Sequence, residues 1–189
     1  GEDCPVDRVS WHDAVDYANA LSAREGLPPC YGEDHEFVGL DCGGYRLPTE
    51  AEWEAAARAG TQTALHSGDL TYSQCDDPVD PNLDRVGWYC TNAGGARHPV
   101  AQKEPNAWGL YDMHGNVFEW VTDRYATPMR ASVDPVGPSA ADAVSEARVY
   151  RGGSYDATPA RARSAHRANL DPDFRWAEFG FRVARTAPD

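Results

Sequence analysis

Gly109-Leu110-Tyr111-Asp112-Met113-His114-Gly115-Asn116-Val117-Phe118-Glu119-Trp120 (GLYDMHGNVFEW) is the stretch that decides the fold. The alternation over 116–121 reads as a strand, and Gly115-Asn116 as the turn that leads into it. Asp112 and Glu119 then lie among large apolar residues, where a carboxylate is costly without a partner. Either the two acids are surface residues or they converge on something positive.

Working outward, further strand candidates are 86–89, 148–151 and 179–184, the last with Phe181 and Val183 on one face. Ser10, with Asp13 three residues on, begins a helix whose apolar face is Trp11, Ala14, Val15, Ala18 and Leu21. Gly26, Pro28 and Pro29 stop it. Thr49 and Glu52 form a capping box for a second helix that turns Trp53, Ala56 and Ala57 inward and ends at Gly60. Residues 61–102 read as loop, and 126–147, rich in Ala, Pro and Ser, as a surface loop. There is no internal repeat and no low-complexity segment. The fold class is α+β, with few helices, short strands and long loops in a single domain over 1–189.

The chain has 189 residues, 41% of them hydrophobic, with 6 Trp and 9 Tyr, enough to build one core. Its formal net charge of -13 repels phosphate backbones, so nucleic acid is not an expected partner. No apolar run is long enough to span a bilayer, and no signal peptide is visible. The 5 Cys include no CxxC. Cys30 and Cys42 flank one short loop and Cys75 and Cys90 another. They read either as two disulfides, suiting an exported or cell-surface protein, or as reduced thiols. Cys4 is left over.

Five segments in order now point one way: PVDRVSWHDAVDYANAL at 5–21, YRLPTEAEWEAAARAGT at 45–61, PNAWGLYDMHGNVFEWVTD at 105–123, RVYRGGSY at 148–155 and GFRVAR at 180–185. Together they resemble the formylglycine-generating enzyme family, also called the sulfatase-modifying-factor domain. The resemblance implies a fold related to C-type lectins and poor in regular structure. The strands that usually precede the first motif are missing. It also implies a structural Ca2+ site. By position, Asp112 and Glu119 supply side-chain oxygens, and Gly115 and Val117 supply carbonyls. A hard cation that takes six to eight oxygens suits such a turn. The other reading is a hairpin whose acids meet solvent or an Arg. His114, inside this turn, is a poor calcium ligand and is expected to be solvated. The family's second calcium region resembles 83–98, but its ligands cannot be placed in this shorter segment.

One departure is sharp. The enzymes of this family resemble copper oxidases that use two cysteines just after the GGS motif, thiolates being what Cu(I) prefers. By position those cysteines fall at Ala157 and Ala162, and no cysteine follows Cys90. A methyl group neither binds copper nor forms a mixed disulfide, so no copper is expected. The rival is a cysteine reaching the pocket from elsewhere. Related iron-dependent sulfoxide synthases add a helical domain for which this chain has no counterpart. Ser154 and His166 could be imagined as nucleophile and base, but Ser154 reads better as a turn residue.

The expected function is therefore a non-catalytic binding module for a protein or small molecule. The alternative is a formylglycine-generating oxidase or a divergent metal-dependent oxidoreductase. A third possibility is a sensor domain fused to a kinase, protease or lipoprotein. The recognition face is placed at 150–179, lined by Tyr150, Tyr155, Asp156, Ala157, His166, Ala168, Asn169, Phe174 and Trp176. Tyr, Trp and Arg are the types that anchor interfaces. Arg residues of this segment are expected to pair with Asp171, Asp173 and Glu178. The segment also resembles the variable region of retroelement-diversified proteins. Mutating the adenines of an AAC or AAT codon cannot yield Trp or Glu, so Trp176 and Glu178 would be fixed there or have another template codon.

Overall fold

The computed structural model describes residues 3–126, 135–139, 143 and 145–187; most of the expected surface loop 126–147 lies outside them. Helix α1 is Trp11–Arg24. The Ser10 side chain accepts from the Asp13 amide and the Asp13 side chain accepts from the Ser10 amide, closing the capping box. Trp11, Ala14, Val15 and Ala18 are buried as the periodicity requires, but Ser22 joins them where Leu21 was expected. Its hydroxyl donates to Ala18 O (2.9 Å) and accepts from Tyr45 N (2.7 Å). Helix α2 is Glu50–Arg58, capped by Thr49 and Glu52. It buries Trp53 and Ala57 and ends with Ala59 in the left-handed region (φ 45°), one residue before Gly60.

The expected strand at 86–89 is absent. Leu83–Val86 is instead one helical turn, α3. Asp80 explains it, accepting from Asn82 N and Leu83 N through Oδ1 and from Thr71 N and Tyr72 N through Oδ2. Four amides that could have joined a sheet are satisfied by one carboxylate. Gly87 then passes so close to His114 O that a Cβ would sit 1.7 Å from it.

The sheet has four strands in the order β3-β2-β1-β4, namely β1 (Phe118–Arg124), β2 (Arg148–Arg151), β3 (Ala168–Leu170) and β4 (Phe179–Phe181). β2 and β3 pair antiparallel, as do β1 and β2, while β4 runs parallel to β1. β1 starts two residues later than 116 and runs on to Arg124. Asn116 is held out of it by a positive φ of 67° and by its side chain, which bridges the backbone of His98. β4 stops at Phe181, leaving Val183 exposed rather than beside Phe181 in the core. β3 has no counterpart among the expected strands.

All seven residues of β1 are buried because helices cover both faces. Trp11, Ala14, Val15 and Ala18 of α1 pack with Phe118, Trp120 and Phe179, whereas Trp53 and Ala57 of α2 pack with Met113, Val121 and Val149. The indole N–H of Trp11 reaches Val121 O, and that of Trp120 reaches Val9 O. Cys30–Cys42 and Cys75–Cys90 are disulfides, and Cys4 is a free thiol. No helix among the described residues is long and apolar enough to cross a membrane.

The arginines of the last third do not take the local acids as partners. Glu50, at the buried start of α2, accepts from Arg151 (3.1 Å) and from Nε and Nη2 of Arg167 (2.6 Å each). Arg151 also binds Glu54 and Ser164 O, and Arg175 binds Asp13. Glu50→Ala would leave Arg151, wholly buried, without one of its carboxylates. We expect urea unfolding to show a loss of about 3–5 kcal/mol. Glu104→Ala, which removes a solvent-exposed partner of Arg85, should leave the midpoint close to wild type.

Candidate functional site

Three structural units bear on function. The first holds Asp112 and Glu119. Glu119 is buried because β1 is sandwiched, and it does converge on a positive group: Arg182, just past β4, donates Nη2 to its Oε1 (2.6 Å) and Nε to its Oε2. Trp53 Nε1 also donates to Oε2 (2.7 Å). Oε2 is therefore filled, while Oε1 keeps one lone pair. Asp112, at φ 57°, accepts from Ala101 N through Oδ2, but its buried Oδ1 has no hydrogen-bond partner among the described residues. Burial first, and then the Glu119 charge, raise the Asp112 carboxyl above its usual range. An orphaned, buried carboxylate oxygen beside a second acid is the donor arrangement a hard cation takes. Gly115 is needed in this turn because a Cβ would lie 2.2 Å from Trp88 O.

The second unit is the 150–179 face. Tyr150 on β2 packs edge-on against Phe118, Trp120 and Phe179, so its ring serves the scaffold as much as the surface. Ala168 on β3 lies opposite it in register, and Asn169 opposite Val149. Phe174 packs on Phe179, which touches Tyr150, so Phe174, Phe179 and Tyr150 form one aromatic row. Phe174 and Trp176 are exposed, the latter by 59%, and Asp156 is also exposed. Glu178 acts electrostatically on both Tyr150 and Tyr155, whose hydroxyls burial already pushes up. Arg161 acts on Tyr150 and on His166. Tyr150 and Tyr155 thus share the Glu178 charge, and Tyr150 and His166 the Arg161 charge. Ala157 is the exception: it is buried in the α1 core cluster and offers its surroundings almost no surface.

The third unit is the pair of alanines. Ala157 and Ala162 are 5% and 1% exposed. Ala157 O accepts from Cys90 N (3.2 Å), and Ala162 O is bonded by His114 Nδ1 (2.8 Å). A cysteine from elsewhere thus does come beside Ala157, but the Cys90 sulfur is tied to Cys75. Ser154, wholly buried, gives its hydroxyl to Glu178 Oε2 rather than to His166. Nothing in the local pattern announced Glu178 or Arg182 as partners, since the contacts span 24 and 63 positions.

The geometry is that of an α+β scaffold of the formylglycine-generating type carrying an aromatic loop face. Residues 1–187 match the sulfatase-modifying factor enzyme 1-like domain, and the chain belongs to that family. It is 31% identical to the chaperone protein LppX of Paenibacillus barcinonensis over 98% of this chain and 71% of that protein. It is 33% identical to the formylglycine-generating enzyme of Streptomyces coelicolor over 97% of this chain but only 53% of the enzyme. The chain thus spans about half the length of that enzyme. Among solved structures it is similar to Treponema denticola variable protein 1, with a TM-score of 0.83, 31% identity, and coverage of 97% of this chain and 71% of that one.

His114 is not solvated as the sequence suggested. It is wholly buried, its Nε2 accepts from His66 N (3.2 Å), and burial lowers its pKa to about 3. The acceptor role of Nε2 puts the ring proton on Nδ1, facing Ala162 O. Burial likewise lowers His166 to about 4 and lowers His66. The unfolded chain takes protons at these positions below about 6.5, while the folded chain refuses them, so stability falls as pH falls from there. Asp123 opposes this. Burial raises it to about 6, so the folded chain gains a proton before the unfolded one does, and stability rises as pH falls through that window. With partly exposed His166 discounted, the histidines win. Urea unfolding should give a stability on the order of 1–2 kcal/mol lower at pH 5 than at pH 7.

Proposed function

We propose that this chain is a calcium-stabilised, non-catalytic binding module, holding a protein or small-molecule ligand against the loops of 150–179. The observation that carries it is the pair of buried methyls, Ala157 and Ala162, where the family's oxidases resemble one another in having cysteines. Contacts to the ligand come from Tyr155, Asp156, His166, Phe174 and Trp176, with Tyr150, Ala168 and Asn169 forming the floor. The similarity to a Treponema variable protein supports this reading. The two disulfides support an exported or surface-exposed setting.

Copper and a cysteine-containing sulfatase peptide supply the test against the oxidase reading. The untreated protein should form no aldehyde on the peptide. Aldehyde formation that disappears in Cys90→Ser would instead establish that the Cys90 sulfur had taken over the chemistry.

The calcium ion is held, in this proposal, by Asp112 Oδ1, the remaining lone pair of Glu119 Oε1, and the carbonyls of Gly115 and Val117. Its role is to tie the Gly-Asn turn to β1, because it neutralises an acid that Arg182 does not reach directly. Millimolar calcium should raise the thermal midpoint of wild type by several degrees over the same protein in EDTA, with magnesium giving less. Asp112→Ala should abolish the increment. An equal increment in that variant would remove the ion from this turn.

A further inference from the structure

Two imidazoles meet beside the start of α1. His12 stands in the first turn of α1, and His35 in the loop that the Cys30–Cys42 disulfide closes. Their Nδ1 atoms are 3.2 Å apart. We propose that His12 and His35 bind one borderline divalent transition cation, of which zinc is the best fit, and so clamp the disulfide loop to the helix.

The distance suits it. Two nitrogens at about 2.0–2.1 Å from one tetrahedral zinc stand about 3.3 Å from each other. The ring centres are only 4.8 Å apart with the planes at 79°. Rings aiming their Nδ1 atoms straight at each other would stand farther apart, so the two lone-pair axes are inclined, as a shared cation requires. The outer nitrogens face carboxylates. His35 Nε2 is 2.9 Å from Asp16 Oδ1, and His12 Nε2 is 3.9 Å from Asp173 Oδ1. Carboxylates behind the far nitrogen fix the tautomer of a metal-binding histidine and strengthen it as a ligand. Arg175 is committed to Asp13 through two hydrogen bonds, which leaves Asp16 and Asp173 as the acids facing the imidazoles.

The proton count closes. Without metal, His35 Nε2–H donates to Asp16, so its Nδ1 accepts from His12 Nδ1–H. On binding, the His12 proton moves from Nδ1 to Nε2, toward Asp173, and both Nδ1 lone pairs are released to the cation. No net proton is lost. Waters complete the coordination, since the described residues hold no cluster of three or more His, Cys, Asp or Glu suited to a metal. His35 also has a left-handed backbone, φ 61°, uncommon for a non-glycine residue and maintained where the surrounding structure holds it.

Zinc chloride titrated into untagged protein, read by calorimetry and by competition with a chromophoric chelator, tests the site. Wild type should bind one equivalent. His35→Asn keeps a residue type at home in that backbone conformation but removes the ligand, and it should weaken binding at least tenfold. Asp16→Asn touches no metal and should weaken it about tenfold, with the near-ultraviolet circular dichroism unchanged. Zinc affinity unaltered in both variants would place the ion on Cys4 or another histidine and overturn the proposal. So would a wild-type protein that gives no heat and no competition.

Discussion

The Glu50 carboxylate is the point on which the fold turns. It opens α2 and is almost wholly out of water. It takes Arg151 from β2 and Arg167 from the residue before β3, while its own amide donates to Asp123 of β1 (2.7 Å). One residue thus fixes a helix against three strands. A buried ion pair adds little net stability, because desolvation offsets most of its attraction, but a mismatched arrangement strands a charge in the core. The network therefore acts mainly by excluding alternatives. Only one placement of α2 and the loop leading into β3 satisfies every charge at once. Arg151 extends the constraint by bonding Ser164 O, which anchors the segment after Ala162 without using any side chain of that segment.

How much of this could be read beforehand follows the range of the interactions. Helices α1 and α2 were legible because their determinants are local. Ser10 with Asp13, and Thr49 with Glu52, act across three positions. β2 was legible from Arg148-Val149-Tyr150-Arg151 because it is short and bounded. The strand expected at 86–89 failed because Val86 closes the turn that Asp80 starts at Leu83, the Gly87 amide bonds Leu83 O, and the Tyr89 amide bonds the Asn92 side chain. β3 was invisible: Ala168-Asn169-Leu170 has no β-branched residue, and only its pairing with β2 makes it a strand. At the candidate site, the sequence marked Asp112 and Glu119 as acids needing a positive partner. It did not reveal that Glu119 meets Arg182, since a contact across 63 positions leaves no periodic trace.

With so little regular structure, many backbone groups find partners among side chains. Asn106 serves Ala56 O, Trp108 N and Leu110 N; Asn116 bridges both backbone groups of His98; Asn19 receives Cys30 N and Tyr31 N and donates to Tyr31 O. These short polar side chains do the work that a ladder does in a sheet. They lie at or before position 116, outside the aromatic face. The stretch from Tyr155 to Trp176 is held by its backbone carbonyls as well as by the Arg167 and Arg175 side chains. Ala157 O receives Cys90 N, Ala162 O receives the His114 ring, Pro172 O receives Trp11 N, and Trp176 O receives Arg8 N.

Backbone anchoring of this kind lets a scaffold keep its shape while the side chains on it change. A position secured through its carbonyl can exchange its side chain freely, provided that the new group fits the space. At Ala157 and Ala162 the space is small. A Cβ on Gly153 would already stand 2.9 Å from the Ala162 Cα. Methyl groups fit there, and the hydrogen bonds that hold the two residues are indifferent to what the methyls replace. At Asp156 and Trp176 the side chains are exposed and little packing fixes their identity, whereas Phe174 packs on Phe179. The frame therefore constrains where this face lies but not what it displays. Exposed positions such as Asp156 and Trp176 can therefore vary while the fold beneath them does not.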